Sequence, residues 1–249
     1  MKVIVDGLAA EYIDEGKGPA VLFLHGWKDE LHTFDDIVSR LSSAFRIIRV
    51  DLPGFGESEK PAFPWTLDDY VLFVKDFMSK LDIKPEILVG HSLGGRILIK
   101  GASAKALSAR KIVLIASAGI AKRRTIRNKV LTALAKAAKV LTILPPMRFW
   151  RAELRRKLYE KIGSDYFAAG ELRDTFLNVI REDLQSAASC ITIPTLLIWG
   201  SADKTTPLSD GERLSKIIKN STLKVIPGAG HFVHRERPAE VAEMIRRFI

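Results

Sequence analysis

The chain has one cysteine, Cys190, in 249 residues. That excludes an internal disulfide and fits a reducing compartment. Long apolar runs are also missing. The most apolar stretch, residues 130–144, is interrupted by Lys136 and Lys139 and is shorter than the roughly 20 residues of a spanning helix, so no membrane span is expected. The opening MKVIVDGLAAEYIDEG alternates apolar and polar residues and has no basic head before an apolar segment. No secretory signal is expected, and the protein is expected to start at Met1 and to be cytoplasmic. Repeats, low-complexity tracts and flexible linkers are absent as well. What is present, with 47% hydrophobic residues, is enough chain for a large buried core.

Acids are the scarcer charge, 29 against 39 Lys and Arg, for a net +10. The imbalance is local: residues 120–186 contain 15 basic and 7 acidic residues, a surplus of 8, and the rest is nearly neutral. No nucleic-acid fold signature accompanies this charge, so nucleic acid is not an expected partner. Solvated helix faces explain most of it, and weak contact of this segment with anionic surfaces is the other reading.

Short β-branched runs recur at residues 20–24, 46–51, 86–89, 111–116, 195–199 and 222–226, with helix-like stretches between them. This alternation predicts a parallel sheet covered by helices on both faces. Residues 2–5 and 11–14, joined across Asp6-Gly7, read as an antiparallel pair at the sheet edge. One interval is too long: 78 residues, 117–194, separate two strands whose crossover needs about a dozen or more. Helical patterns at 126–144, 147–161 and 169–188 fill it, the last with Leu172, Phe176, Val179 and Ile180 as its apolar residues. The expected organisation is a core domain in two parts, 1–118 and 187–249, with a helical lid, 119–186, inserted after the sixth strand.

The chemistry starts at ILVGHSLGG, residues 87–95, where GxSxG follows a buried strand and opens a helical pattern. A serine on such a turn projects its hydroxyl above the sheet, and Gly90 and Gly94 let the chain pass closely around it. Ser92 is therefore the candidate nucleophile. It needs a base to take its proton and a carboxylate to orient that base. Of the five histidines, His25 reads as a brace for its own loop, His91 faces away from Ser92 across the elbow, and His32 lies on a surface helix. His231, after Gly228 and Gly230 in PGAGHFVHRERP, is the candidate base, with His234 as the alternative. Asp203, in LLIWGSADKTTP, is the candidate acid because it follows a strand end, where catalytic groups gather in such sheets. Asp51 reads instead as the cap of the turn DLPGFGES. The backbone N–H groups of Trp27, in HGWKDE, and Leu93 are the candidate oxyanion donors.

The motifs LFLHGW, DLPGFGES, GHSLGG, WGSADKTTP and GAGHFVHRERP together resemble the α/β-hydrolase superfamily, in particular its lidded serine esterases, over nearly all the chain outside the lid. The resemblance implies an α/β-hydrolase fold with a mostly parallel eight-stranded sheet, the chain order Ser92, Asp203, His231, and neither cofactor nor metal. The expected activity is hydrolysis of a small-molecule carboxylic ester through an acyl enzyme. The substrate-binding candidates are Trp27, Leu144, Met147, Phe149 and Trp150. Aspartate-nucleophile relatives, the haloalkane dehalogenases and epoxide hydrolases, are excluded by serine at position 92. Two alternatives stay open. One is a carbon–carbon bond hydrolase acting on a dienoic ring-fission product, with Arg96, Arg123, Arg124, Arg148 or Arg151 holding its carboxylate. The other is a binding protein whose basic lid docks on an anionic membrane or partner. Arg96 reads first as a tie between the elbow helix and a neighbouring loop, and Cys190 as a small buried hydrophobe.

Overall fold

The computed structural model describes residues 1–120 and 170–249. Eight strands form one sheet in the order β1-β2-β4-β3-β5-β6-β7-β8. The edge hairpin is β1 (Lys2–Val5) and β2 (Leu8–Glu15), paired antiparallel with Val5 opposite Leu8. The two-residue turn between them holds Asp6 at φ 48 and Gly7 at φ 82, the left-handed pair that an Asp-Gly hairpin needs. β2 is antiparallel to β4 (Arg46–Val50). From there β3 (Ala20–Leu24), β5 (Ile87–His91), β6 (Lys111–Ile115), β7 (Thr195–Gly200) and β8 (Ser221–Ile226) continue in parallel.

The central strands are apolar throughout because both sheet faces are covered. Alternate side chains go to opposite cores. Val21, Phe23, Val89, Val113 and Ile198 face one core with α1 (Asp35–Leu41), α7 (Val233–Glu236) and α8 (Pro238–Phe248), which supply Ile37, Leu41, Val233, Val241 and Ile245. Leu22, Leu24, Leu88, Leu114, Leu197 and Trp199 face the other, with α2 (Leu67–Lys80), α3 (Leu93–Ser103) and α6 (Leu208–Ile217). Thr66 and Asp69 start α2 with a reciprocal capping box. The chain leaves β3 for β4 on one side and returns to β5 on the other, so the sheet reverses its winding between β3 and β5. A crevice opens at the carboxyl ends of strands at such a point.

The helices expected at 126–144 and 147–161, and with them most of the expected lid, lie outside the described residues. The helix expected at 169–188 is not continuous. A single 3₁₀ turn, Gly170–Leu172, leads into α4 (Arg173–Arg181), and α5 (Gln185–Ser189) follows after a break. At the break Glu182 is extended and the N–H of Leu184 donates to the carbonyl of Gly119. Leu184 is buried there, and Val179 and Thr175 face inward from α4, whereas Ile180 is exposed. Cys190 is also exposed, contrary to the expectation from its apolar surroundings. The short α5 turns Ala188 inward and Ile191 takes the next buried position, so the thiol points out. Among the described residues no helix is long and apolar enough to cross a membrane.

Candidate active site

Ser92 sits between β5 and α3 with φ 48 and ψ −102, a conformation that L residues rarely adopt and that costs on the order of 1–3 kcal/mol. Its neighbours over-determine this elbow. The N–H of Ser92 donates to the carbonyl of Ile115 (3.1 Å), its carbonyl accepts from Ala118 (3.2 Å), and Gly94 donates to the carbonyl of His25 (3.0 Å). Glycine is required at two places: a Cβ on Gly90 would strike the backbone of Gly94, and one on Gly94 would strike the carbonyl of Leu24.

The turn after β3 lies directly against the elbow, since a Cβ on Gly26 would come within 3.4 Å of the Cβ of Ser92. His25 fixes that turn. Its Nδ1–H donates to the carbonyl of Gly26 (2.7 Å) and its Nε2 accepts from the N–H of Leu52 (2.9 Å). Asp51 braces the next turn by accepting from the N–H groups of Leu31 (2.7 Å) and Glu57 (2.9 Å). Among the described residues the N–H groups of Trp27 and Leu93 donate to no acceptor. The Trp27 indole packs on Phe55 (4.9 Å) and on Phe176 of α4 (5.0 Å), and its buried Nε1–H has no partner among the described residues.

Asp203 and His231 come together because the loops after β7 and β8 touch. A Cβ on Gly200 would collide with the carbonyl oxygen of Ala229, and the N–H of Ala202 donates to that same oxygen (2.9 Å). Oδ2 of Asp203 then accepts from Nδ1 of His231 at 2.8 Å, which assigns the proton to Nδ1 and leaves Nε2 as the basic nitrogen. The other carboxylate oxygen accepts from the N–H groups of Thr205 (2.8 Å) and Thr206 (2.9 Å). Burial opposes the charge on Asp203, but hydrogen bonds from His231 and Thr206, together with the histidine's charge, hold its carboxyl below the usual carboxylate range. No hydrogen bond joins Ser92 to His231 among the described residues. Nucleophile and base commonly stand apart before substrate arrives.

Thr206 is a site residue that the sequence reading does not single out. Its hydroxyl lies 2.8 Å from Oδ2 of Asp203, 3.0 Å from the carbonyl of Ala116 and 3.1 Å from Nδ1 of His231. The only sequence signal is its spacing, since an Asp commonly accepts from N–H groups two and three residues on. His234 is not near Asp203 in this way: it is fully buried, and its Nε2 meets the hydroxyl of Thr33 (3.0 Å). His32 is on the surface beside Asp35. The Arg96 guanidinium donates to the carbonyls of Val179 (2.7 Å) and Glu182 (2.5 Å), tying α3 to the end of α4. Burial lowers its pKa to about 10, with Glu182 and Asp183 acting against that shift. The candidates Leu144, Met147, Phe149 and Trp150, and the cations Arg123, Arg124, Arg148 and Arg151, lie outside the described residues.

The profile of the Alpha/beta hydrolase family matches residues 21–244. The uncharacterized hydrolase YugF of Bacillus subtilis (strain 168) is 29% identical over 98% of this chain and 96% of its own length. The 2-(acetamidomethylene)succinate hydrolase of Mesorhizobium japonicum is 27% identical over 95% of this chain and 90% of its own length. Among solved structures, a membrane phospholipase A described as a bacterial virulence factor superposes with a TM-score of 0.78 at 25% identity, covering 100% of this chain and 84% of that one. A match running from β3 into α8, on a sheet of this order, reaches far beyond the elbow motif: the chain belongs to the alpha/beta hydrolase family.

Proposed function

We propose that this protein is a serine hydrolase of small carboxylic esters, with Ser92 as nucleophile, His231 as general base and Asp203 as the acid that orients it. The observation that supports this most is the 2.8 Å contact between His231 and Asp203 on loops that reach the Ser92 elbow. In this reading Nε2 of His231 takes the Ser92 proton as Oγ attacks the ester carbonyl. The N–H groups of Trp27 and Leu93 receive the oxyanion, each worth about 3–4 kcal/mol of transition-state stabilisation. Collapse expels the alcohol, protonated by His231, and water activated by the same nitrogen releases the acid from Ser92. Residues 119–186 act as a lid that sets substrate choice, with Trp27 on the core side and Leu144, Met147, Phe149 and Trp150 on the lid side.

The carbon–carbon alternative needs a cation to hold a dienoate carboxylate. Arg96, the one of the named candidates that lies within the described residues, spends its guanidinium on two backbone carbonyls. Ester hydrolysis needs no such group, and it is the reading we adopt. p-Nitrophenyl esters of increasing chain length, assayed beside a ring-fission dienoate, separate the two. Burst release from an ester, abolished in Ser92→Ala, is the expected outcome. Ester turnover that survives in Ser92→Ala removes the proposed nucleophile, and exclusive turnover of the dienoate overturns the substrate class.

A further inference from the structure

Behind the proposed base lies a second group of titratable side chains that the mechanism above does not use. Asp29, His91 and His234 each bring one ligand-type atom to within 4.8 Å of the others. All three are buried or nearly so, and each has an atom without a hydrogen-bond partner among the described residues: Oδ2 of Asp29, Nδ1 of His91 and Nδ1 of His234. Burying a polar atom without a partner is unfavourable, so three together point to something shared between them.

The protons can be assigned. Nε2 of His91 lies 3.1 Å from the carbonyl oxygen of His231. A carbonyl only accepts, so Nε2 carries the proton. Burial, with His234 and His231 nearby, keeps the His91 ring neutral by moving its pKa well below the ordinary value. Its Nδ1 is therefore a lone pair, and it faces another acceptor, Oδ2 of Asp29, at 3.9 Å. Oδ1 of Asp29 already accepts from the N–H of Glu30 (3.1 Å). Two facing acceptors need a donor between them. Spacing selects its kind. Ligands at about 2.0–2.1 Å around a tetrahedral zinc stand about 3.4 Å apart. Groups sharing one water at hydrogen-bond distance stand about 4–5 Å apart, which suits this cluster better. A water that donates to both acceptors can still accept from a third group, and Nδ1 of His234, without a partner among the described residues, carries an N–H for it when its Nε2 accepts from Thr33.

We propose that His91 is a positioning residue for the base loop: its Nε2–H holds the carbonyl of His231, and one buried water shared with Asp29 and His234 locks His91 in that tautomer. The proposal rests on the reading of His231 as general base. The dipeptide His91-Ser92 at the end of β5 then carries the nucleophile on one residue and the brace of the base loop on the next. His231 is held at two points, its ring by Asp203 and its main chain by His91, whose ring lies 4.9 Å from its own. Asp29 and His234 act only through His91.

The test compares wild type, His91→Phe and His91→Gln with p-nitrophenyl acetate and with a fluorophosphonate that labels reactive serines. Glutamine restores an N–H near the position of Nε2, and phenylalanine fills the space without one. His91→Phe is expected to lose about 10- to 100-fold in kcat, as misplacement of a catalytic group does, with KM nearly unchanged. His91→Gln is expected to recover most of that loss. Equal rates in the two variants, or an unimpaired His91→Phe, overturn the proposal. Failure of the underlying reading looks different: wild type is then not labelled at Ser92, or His231→Ala keeps its rate. If His91→Phe does not fold, nitrogen NMR of histidine-labelled wild type decides, with Nε2–H and an unprotonated Nδ1 expected for His91 and the opposite tautomer overturning the proposal. A crystal structure is expected to show a water within reach of all three side chains. A metal with anomalous signal, or no density at that point, overturns the shared water.

Discussion

Thr206 illustrates how much one hydroxyl does at this site. Its single proton is shared between the carboxylate of Asp203 and the carbonyl of Ala116, so it fastens the acid loop to the end of β6. Thr206→Val keeps the shape and removes the donor. It is expected to lower kcat about tenfold and to cost about 1–3 kcal/mol of stability, read from ester kinetics and urea unfolding. An unchanged kcat shows that the backbone N–H groups of Thr205 and Thr206 hold Asp203 without it. Ser92 offers a second test at this scale, because its φ of 48 is strained for any residue with a Cβ. Ser92→Gly relieves that strain and Ser92→Ala does not. Glycine is expected to be the more stable of these two inactive variants by about 1–2 kcal/mol in the same urea assay. That Asp203 and His231 lie close is legible in the sequence, since each follows a strand and His231 follows two glycines. The hydroxyl of Thr206 is not legible in the same way. Nothing in SADKTTP says that a histidine 25 residues further along comes within reach.

Between elements, the contact that matters most is loop against loop at Gly200. Gly200→Ala places a methyl where the carbonyl of Ala229 now sits, and the two loops have to separate to admit it. Activity is expected to fall at least 100-fold while circular dichroism stays native-like, since the sheet ends there and its core is untouched. Arg96 performs the corresponding function for α4, whose last carbonyls it receives on a buried guanidinium. Arg96→Leu leaves those carbonyls without their donor. Faster amide exchange across α4, with exchange in β5 and β6 unchanged, is the expected result by mass spectrometry. The apolar spacing of 169–188 makes a helix legible, but the break at Glu182 is not. It is set by Gly119 and Arg96, which take up backbone groups of this segment from distant parts of the chain. Most strands are legible to within two residues, because a sheet covered on both faces leaves short apolar runs bounded by turns, but β2 starts at Leu8, three residues before the expected run, because the Asp6-Gly7 turn takes only two residues.

Taken whole, the protein buries three histidines beside one site, and this fixes its response to acid. Burial lowers the pKa of His25, His91 and His234, that of His234 to about 3. Asp51 and Asp29 oppose the shift at His25, and Arg235 and His231 reinforce it at His234. In the unfolded chain these rings take up protons near the ordinary value of about 6.5. Below that pH the unfolded state binds more protons, so this contribution is fully present above about 6.5 and is lost as pH falls toward each ring's lowered value, about 3 for His234. Each such ring changes the unfolding equilibrium by up to tenfold per pH unit within that window. Asp203, whose carboxyl is held low, adds a term that is complete above about pH 4 and is lost as pH falls through its lowered value. Urea unfolding from pH 8 to 4.5 is expected to give a plateau above about 7 and a decline below it, with a shallower decline in His234→Phe. A flat profile removes the assignment of neutral buried rings. The exposed Cys190 has a practical consequence. As the one thiol in the chain, fixed at the end of α5 beside the buried Ile191, it is a unique attachment point for a maleimide dye on unmutated protein. Energy transfer from the chain's tryptophans to that dye would report, in solution and during turnover, changes in the surroundings of α5.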